Sequence, residues 1–474
     1  MSDNKANIEN KAGQETKIRI ASWNIGTMSK KTFEVIETLK KWRVDICCVQ
    51  ETRWRGQGTR MVGVESVGEE RYKFFWQGGE KCVAGVGVLV KEEWADKIME
   101  VRRVNERILA VKVAKGKKLV NVVAAYAPQV GRSAEEKDKF WWDMMELVAS
   151  YGQGEEVVIG GDLNGHVGNT AEGYEEVRGG YGYGNRNEEG ERILEFCEAL
   201  EMKIGNTWFR QEENKLITFE SGGIKSMIDY LLVRKGEGIR LVGSEALYVG
   251  MQHKMVLGDF IVECRDGDNG KKDKRKSRLR TWRLKKEEVR ERFAEEVEYM
   301  RQRGERATDR KEANQEWERL KGALLTSADK VCGWSKGGNR KAMRWSEEVE
   351  AAWKEKWRWE MVYNMTGTEK AKEEYRKALR NARKMAKREF SRKISDETKE
   401  LESREGRNKV FKLAKKLKRE AQDITGTQCL RQQGRLVISE EEKMKVWGEY
   451  FEKLLNEENP WDRDTTIDVD GDRG

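Results

Sequence analysis

The chain is 474 residues long, 37% hydrophobic and 37% charged, with a mean hydropathy of −0.86 and a net charge of +9. An average globular domain carries about 25% charge, and no stretch here approaches the roughly 18 apolar residues of a membrane span, so no membrane association is expected. Seven cysteines form no CxxC pair and only two histidines are present, His166 and His253, which excludes an HExxH protease and argues against a histidine-rich zinc site.

The charge is unevenly placed. Residues 1–264 carry −3, residues 265–420 carry +18 and residues 421–474 carry −6. The length predicts two or more domains. Residues 1–16 are polar without an apolar h-region, so a disordered N-terminus and no secretory signal are expected. Adjacent Cys47 and Cys48 point to opposite faces of a strand and cannot share a ligand. They read as buried thiols of a reducing compartment, so a nuclear or cytoplasmic chain is expected.

In chain order, Lys17–Trp23 reads as a strand ending in Asn24. Thr32–Trp42 reads as a short helix, with Phe33, Ile36 and Leu39 at helical spacing. Val44–Val49 is a strand running into Gln50-Glu51-Thr52. Gly85–Val90 is a buried strand, and Ile108–Val113 with Leu119–Ala125 form a hairpin that ends in Tyr126. Ser133 and Glu136 make a capping box before a helix carrying Phe140, Met144 and Leu147. Val157–Ile159 then leads through Gly160 and Gly161 to Asp162, Asn164 and His166.

That last stretch has two readings. It is a strand followed by an Asx turn, or a rigid mount delivering Asp162 and Asn164 to one side of an extended backbone. Residues 173–186 form a Gly/Tyr-rich surface loop, and Glu188–Leu200 a helix. Thr218, Ser226, Asp229 and His253 lie in or beside the short apolar runs that follow. Strands alternating irregularly with a few helices argue an α/β or α+β domain with sheets at its centre.

Polar residues therefore stand at the ends of several separate strands: Asn24, Glu51, Tyr126, Asp162, Asn164, Asp229 and His253. Glu51 with Asp162 suits a hard divalent cation, because Mg²⁺ keeps several waters and needs few protein ligands. A histidine paired with a carboxylate suits work on a phosphate oxygen. Asn and Tyr can donate to phosphate oxygens as charge builds there.

The motifs SWNIGT, VQETRW, AAYAP, GGDLNGH, TFES, MIDYLLV and QHKMVLGDF, in this order, resemble the endonuclease/exonuclease/phosphatase superfamily over roughly residues 17–264. The superfamily includes exonuclease III-like repair enzymes, DNase I-like nucleases and retrotransposon endonucleases. The resemblance implies a two-sheet α/β sandwich flanked by helices, with the active site at one rim. It implies that Glu51 binds the metal, Mg²⁺ or Mn²⁺, with Asn24 close by. It implies that Asp162 orients or deprotonates the attacking water, that Asn164 and Tyr126 meet the scissile phosphate, and that Asp229 orients His253. Thr218 and Ser226 match positions that support the site or contact DNA. The family usually ends its last motif Ser-Asp-His, whereas this chain has Met251-Gln252-His253. One carboxylate fewer predicts weaker cation affinity and a lower pKa for His253.

Beyond a basic linker at 265–281, which includes the run Lys271–Arg280, the region 282–474 is helical in pattern. Amphipathic spacing predicts helices over 289–300, 317–331, 345–363 and 369–399, and a capping box at Ser439 opens another. RWSEEVEAAWKEK and VWGEYFEKLLNEENP resemble the linker that follows the endonuclease in RTE-type retroelements, but no Tyr-x-Asp-Asp polymerase motif is present. The implied function is a metal-dependent DNA endonuclease leaving a 3′-hydroxyl, as in retrotransposon target nicking. DNA is its partner, and element RNA a further one through residues 265–420. The competing readings are a superfamily hydrolase of abasic DNA, RNA or a phosphorylated small molecule, and a degenerate retroelement-derived binding protein.

Overall fold

The structure, a computed structural model, describes residues 14–63, 70–115, 118–236, 238–264, 279, 281–302, 313–333, 346–402, 407–424, 430–432, 435–437 and 440–456. Outside these lie the expected disordered residues 1–13, nearly all of the basic run Lys271–Arg280, and the Ser439 cap.

The strands in chain order are β1 (Gln14–Asn24), β2 (Ile46–Gln50), β3 (Gln57–Val62), β4 (Tyr72–Gln77), β5 (Val86–Lys91), β6 (Ile98–Asn105), β7 (Ile108–Lys115), β8 (Lys118–Tyr126), β9 (Glu156–Asp162), β10 (Met202–Ile204), β11 (Phe219–Ser221), β12 (Ile224–Ser226), β13 (Asp229–Arg234), β14 (Ile239–Leu247) and β15 (Met255–Cys264). Helices α1 (Thr32–Lys41), α2 (Glu92–Ala95), α3 (Ala134–Ala149), α4 (Glu188–Ala199) and α5 (Glu213–Leu216) lie between them. One sheet has the order β14-β15-β1-β2-β5-β4-β3 and the other β10-β13-β9-β8-β7-β6.

The two sheets pack face to face. Ile20, Cys48, Val88 and Phe260 of the first meet Val111, Val122 and Val158 of the second in one cluster. On the outer faces, α1 covers the first sheet with Val35, Ile36 and Leu39. Helices α3 and α4 cover the second with Phe140, Met144, Ile193 and Phe196. Strands buried on both faces are continuous apolar runs, which is why ICCVQ and VGVLV are legible without alternation. The sheets approach so closely at Gly160 that a Cβ there would lie 3.0 Å from the Cys48 Cβ. Ser133 caps α3 by accepting from the Glu136 amide.

The first strand starts at Gln14, three residues before the expected boundary, because Gln14, Glu15 and Thr16 pair with Cys264, Glu263 and Val262. Strands β3, β4, β6 and β14 carry no clean apolar alternation and stand where the sequence pattern gives no strand.

The helical region does not hold together as one body. The helices between Gly267 and Met343 form a compact unit of their own, and those after Arg344 join the unit of the two sheets. In the smaller unit, α6 (Glu287–Gln302) and α7 (Ala313–Cys332) are long helices, and Arg283 donates to the Cys332 carbonyl at 3.1 Å.

In the larger unit, α8 (Glu347–Thr366) and α9 (Glu369–Glu402) make an antiparallel hairpin. It turns at Gly367, whose φ of 63° suits a residue without a Cβ. Val349, Ala352 and Trp353 pack on Ala382 and Ala386 at one end. Tyr363 packs on Ala371 and Tyr375 at the other. The hairpin is seated on the sandwich through Trp353 against Phe33, ring centres 5.3 Å apart, and Tyr363 against Tyr248, 4.5 Å apart. A seam of Tyr375, Ala378 and Ala382 is therefore a packing face within this hairpin. Helices α10 (Arg407–Glu420) and α11 (Glu440–Asn456) follow, with the short strands β16 (Leu430–Gln432) and β17 (Arg435–Val437) between them. Among the described residues, no helix is long and apolar enough to cross a membrane.

Candidate active site

Topology brings the polar strand ends to one rim. β1 and β2 run parallel, so Asn24 and the residue after Gln50 emerge side by side. β8 and β9 are also parallel, with Tyr126 beside Asp162. β13 runs antiparallel to β9, so its first residue, Asp229, stands opposite Asp162. His253 precedes β15, which is antiparallel to β1. Parallel strands thus give their last residues and antiparallel ones their first.

Hydrogen bonds tie these groups across the two sheets. The Asn24 amide donates to Glu51 Oε1 at 3.0 Å and to Asp162 Oδ2 at 2.9 Å. The Tyr126 hydroxyl donates to Glu51 Oε1 at 3.0 Å. His253 Nδ1 lies 3.0 Å from Asp229 Oδ2, and its Nε2 lies 3.9 Å from Asp162 Oδ2. Thr218 Oγ1 accepts from the amides of Ile228 and Asp229, at 3.0 and 3.1 Å, and so fixes the start of β13. Ser226 is buried and acts through its backbone carbonyl, which accepts from the Thr218 amide.

Two of the expected site residues depart from ordinary backbone. Glu51 has φ 55° and Asn164 φ 49°. The left-handed region costs a non-glycine residue about 1–2 kcal/mol, and Asn tolerates it best. Asn164 is therefore not carried on an extended strand beside Asp162. Its amide nitrogen instead bonds Asp162 Oδ1 at 3.2 Å, and its side chain donates to the Ala127 carbonyl at 2.9 Å. The stretch is thus an Asx turn after the strand, and Asn164 does not share the extended backbone that carries Asp162.

The electrostatics follow from crowding. Burial and the neighbouring Asp229 charge raise Asp162 to about 7, against the pull of His253 and the bonds from Asn24 and Asn164. Burial lowers His253, but the charge and hydrogen bond of Asp229, with Asp162 and Glu51, outweigh it and raise the imidazole to about 9. His253 thus stands above its ordinary value although Gln252 replaces a carboxylate, because three other carboxylates face the ring. Gln252 itself is exposed and donates to Ser221 Oγ at 2.8 Å. Burial opposes ionisation of Glu51, yet donors from Asn24, Arg53 and Tyr126 hold it below the usual carboxylate range. Burial and the charges of Glu51 and Asp162 push Tyr126 well above its ordinary value, so it stays a donor.

These residues fit a hard divalent cation. Three carboxylates converge on a rim where Asp162 is already driven toward protonation, and a cation would relieve that excess. Asp162, Asp229 and His253 offer ligand atoms within 4.8 Å of one another. Asn24 turns its amide nitrogen to Glu51, while its oxygen accepts from the Gly26 amide at 3.0 Å. Its place is as a bridge between carboxylates, which leaves the half-buried Glu51 as the oxygen donor on that side.

Sequence reasoning passed over Arg53, whose guanidinium bonds Glu51 Oε2 at 2.6 Å. It also passed over Asn206, which donates to the Asp229 carbonyl and accepts from the Leu231 amide. A cation two residues after the glutamate was the available signal for the first, and nothing local marked the second. His166 lies outside the cluster: its backbone bonds Asn187, the cap of α4.

Residues 21–252 match the Endonuclease/Exonuclease/phosphatase family. This part of the chain belongs to that family. Family members are mostly hydrolytic nucleases or phosphatases and typically depend on a divalent metal. Craniofacial development protein 2 of Bos taurus is 26% identical over 267 residues, covering 54% of this chain and 44% of that protein. The same protein of Tragulus javanicus is 24% identical over 252 residues, covering 52% and 42%. The chain thus spans less than half the length of these curated relatives. The endonuclease domain of TRAS1, a telomere-specific non-LTR retrotransposon, aligns over 52% of this chain and 100% of that one, at 13% identity and a TM-score of 0.36.

Proposed function

We propose that residues 17–264 are a metal-dependent DNA endonuclease that hydrolyses a phosphodiester to leave a 3′-hydroxyl, the reaction by which a retroelement nicks its target. The observation that carries this reading is the unbroken chain Tyr126–Glu51–Asn24–Asp162 facing the Asp229–His253 pair. A general base poised near neutral pH lies beside a protonated donor, as phosphoryl hydrolysis requires.

Asp162 takes a proton from water, whose oxygen forms the new bond to phosphorus. The bond from phosphorus to the 3′-oxygen breaks, and that oxygen leaves with the bonding pair and takes a proton from solvent to become the hydroxyl. Protonated His253 donates through Nε2 to a non-bridging oxygen, while Asp229 holds Nδ1. Tyr126 stands on the opposite sheet, and its one hydroxyl proton, given to Glu51 in the free site, turns to the same phosphate when substrate binds. Asn164, fixed by Asp162 and Ala127, lines the approach to it. A divalent cation held by Glu51, Mg²⁺ or Mn²⁺, would add Lewis-acid charge at the phosphate oxygens. Gln252 leaves the cluster one carboxylate short of the usual family motif, so the reading carries weaker metal affinity with it.

DNA is the partner in this reading, which places the protein's work in the nucleus. The +18 charge of residues 265–420 adds salt-dependent attraction to DNA or to element RNA. Supercoiled plasmid incubated with pure protein and Mg²⁺ tests the proposal. Open circles from the wild-type chain and none from Asp162→Ala are expected. No nicking, or equal nicking by the variant, would sink it.

A further inference from the structure

A cleft of about 310 Å³ opens beside the reacting centre. One wall is the catalytic rim itself, including Asn24, Gly26, Gln252 and His253. The facing wall is supplied by α9 through Lys372, Arg376 and Arg383, with Lys31 at the cap of α1 beside them. Its size is at the small end of ligand pockets, which start at roughly 300 Å³. The helix that furnishes this wall belongs to the region after the sandwich, and nothing in the nuclease motifs announces it.

The charge on that wall is unequal. Lys372 is shared between Glu220 at 2.7 Å and Glu369 at 3.2 Å. Arg383 bonds Glu34 at 2.8 Å. These two cations are largely spent on fastening the hairpin. Lys31 instead bonds the Ile25 carbonyl at 3.0 Å, and Arg376 bonds the Tyr248 hydroxyl. Both are neutral acceptors, so their positive charge is not cancelled by those bonds. The stem of Arg376 leaves an exposed residue on a helix whose other face is buried against α8.

We propose that α9 builds a phosphate subsite next to the scissile position, in which Arg376, with Lys31, holds a neighbouring backbone phosphate of the DNA strand. This rests on the endonuclease reading above. The continuity of the cleft with Asn24 and His253 makes a strand that places one phosphate at the centre run along the basic wall. A free anion would meet the same cations without needing that continuity. The hairpin after the sandwich is then part of the substrate path, and Arg376 fixes register without reading sequence.

Fluorescence anisotropy with a short labelled duplex, metal-free and over about 50–200 mM salt, tests this on the full chain. Arg376→Gln should weaken binding several-fold and lower the slope of log affinity against log salt by about 0.9, one phosphate contact. Arg376→Lys should keep the wild-type slope, since a lysine still neutralises a phosphate. Lys377→Ala, an exposed cation on the same helix but outside the cleft, should bind like wild type. A wild-type slope in Arg376→Gln overturns the subsite, as does an equal loss in Lys377→Ala. Circular dichroism of Arg376→Gln checks that the hairpin is intact, and a stepwise competition by inorganic phosphate equal in wild type and variant also counts against a built subsite. The outcome is separable from catalysis: failure to nick plasmid removes the nuclease reading, while the salt slope alone decides the subsite.

Discussion

Asp162 and Asp229 are direct cross-strand partners on β9 and β13, two buried carboxylates facing each other without an intervening residue. Like charges directly opposite destabilise a sheet, and here burial adds to the repulsion and raises Asp162 to about 7. The folded state therefore binds more protons than the unfolded one between about 4, the unfolded carboxylate value, and about 7. The stability this group contributes is full below that window and is lost as pH rises through it. We expect Asp162→Asn, in chelator, to be more stable than wild type at pH 8 by about 1 kcal/mol, a few degrees in Tm, and to lose the slope between pH 4 and 7. It should also lose nicking. Denaturation curves at pH 5 and 8 decide it; a variant less stable than wild type at pH 8 contradicts the repulsion.

The Asp229–His253 pair yields a spectroscopic prediction, because the chain has only two histidines. His253 is held up to about 9 against burial, chiefly by Asp229, while burial sets His166 below its ordinary value. In metal-free protein two well-separated imidazole titrations are expected by NMR. Asp229→Asn should bring the upper one down toward about 6.5 and leave the lower one in place. Nicking should fall by about 10²-fold, the low end for loss of a positioned acid. If neither titration moves, Asp229 does not set the state of His253.

How much of this was legible in the sequence depends on where burial is decided. Val157–Ile159, Ile46–Val49 and Val86–Val90 are covered on both faces, so apolar runs alone mark them. The residues at their ends were legible as well, because a polar side chain after such a run has only the rim to go to. β3 and β4 were not, since the polar Thr59 and Lys73 there are buried by contacts from far along the chain. Lys73 donates to the Asp423 carbonyl and Arg103 to the Asp423 carboxylate, 350 and 320 residues away. The backbone of Asn164 was missed because i, i+2 reasoning assumes an extended chain. The division of the helical region was missed because amphipathic spacing says that a face will be buried and is silent on what buries it.

A buried ion cluster under α8 makes docking of the hairpin sensitive to pH. Lys356 donates to Glu360 at 2.8 Å, and Lys41 of α1 bonds the same carboxylate. Burial lowers Lys356 to about 7 and Lys41 to about 8. The folded state thus binds fewer protons than the unfolded one between these values and 10.5, so docking should strengthen as pH rises from about 7 to 10. Glu34 and Arg383 also face Lys356 and leave its neighbourhood close to balanced. Removing the shared partner by Glu360→Gln strands two ammonium groups and should cost about 3–5 kcal/mol. Lys356→Met leaves the Lys41–Glu360 pair and should cost far less. Hydrogen exchange of α8 amides in both variants at pH 7 and 9 measures this, and equal protection in the two variants contradicts it.

Gly250 is where the sandwich admits the hairpin. Its φ is +83°, and a Cβ there would stand 2.6 Å from the Tyr375 hydroxyl and 3.0 Å from Leu379 Cδ2. Tyr375 is wholly buried, so the ring cannot swing aside. Gly250→Ala therefore combines overpacking of about 1–3 kcal/mol with a left-handed backbone cost of about 1–2 kcal/mol. The sheets do not depend on this contact, whereas α9 does. We expect faster hydrogen exchange over α9 with unchanged exchange in β9 and β13. Tyr375→Ala in the same chain should relieve the clash, so that the double variant exchanges more slowly than the sum of the singles predicts. If the basic wall of α9 grips DNA, Gly250→Ala must also weaken duplex binding without touching a cationic residue. Undocking with wild-type binding would detach the hairpin from the substrate path, since Arg376 would then have moved without consequence.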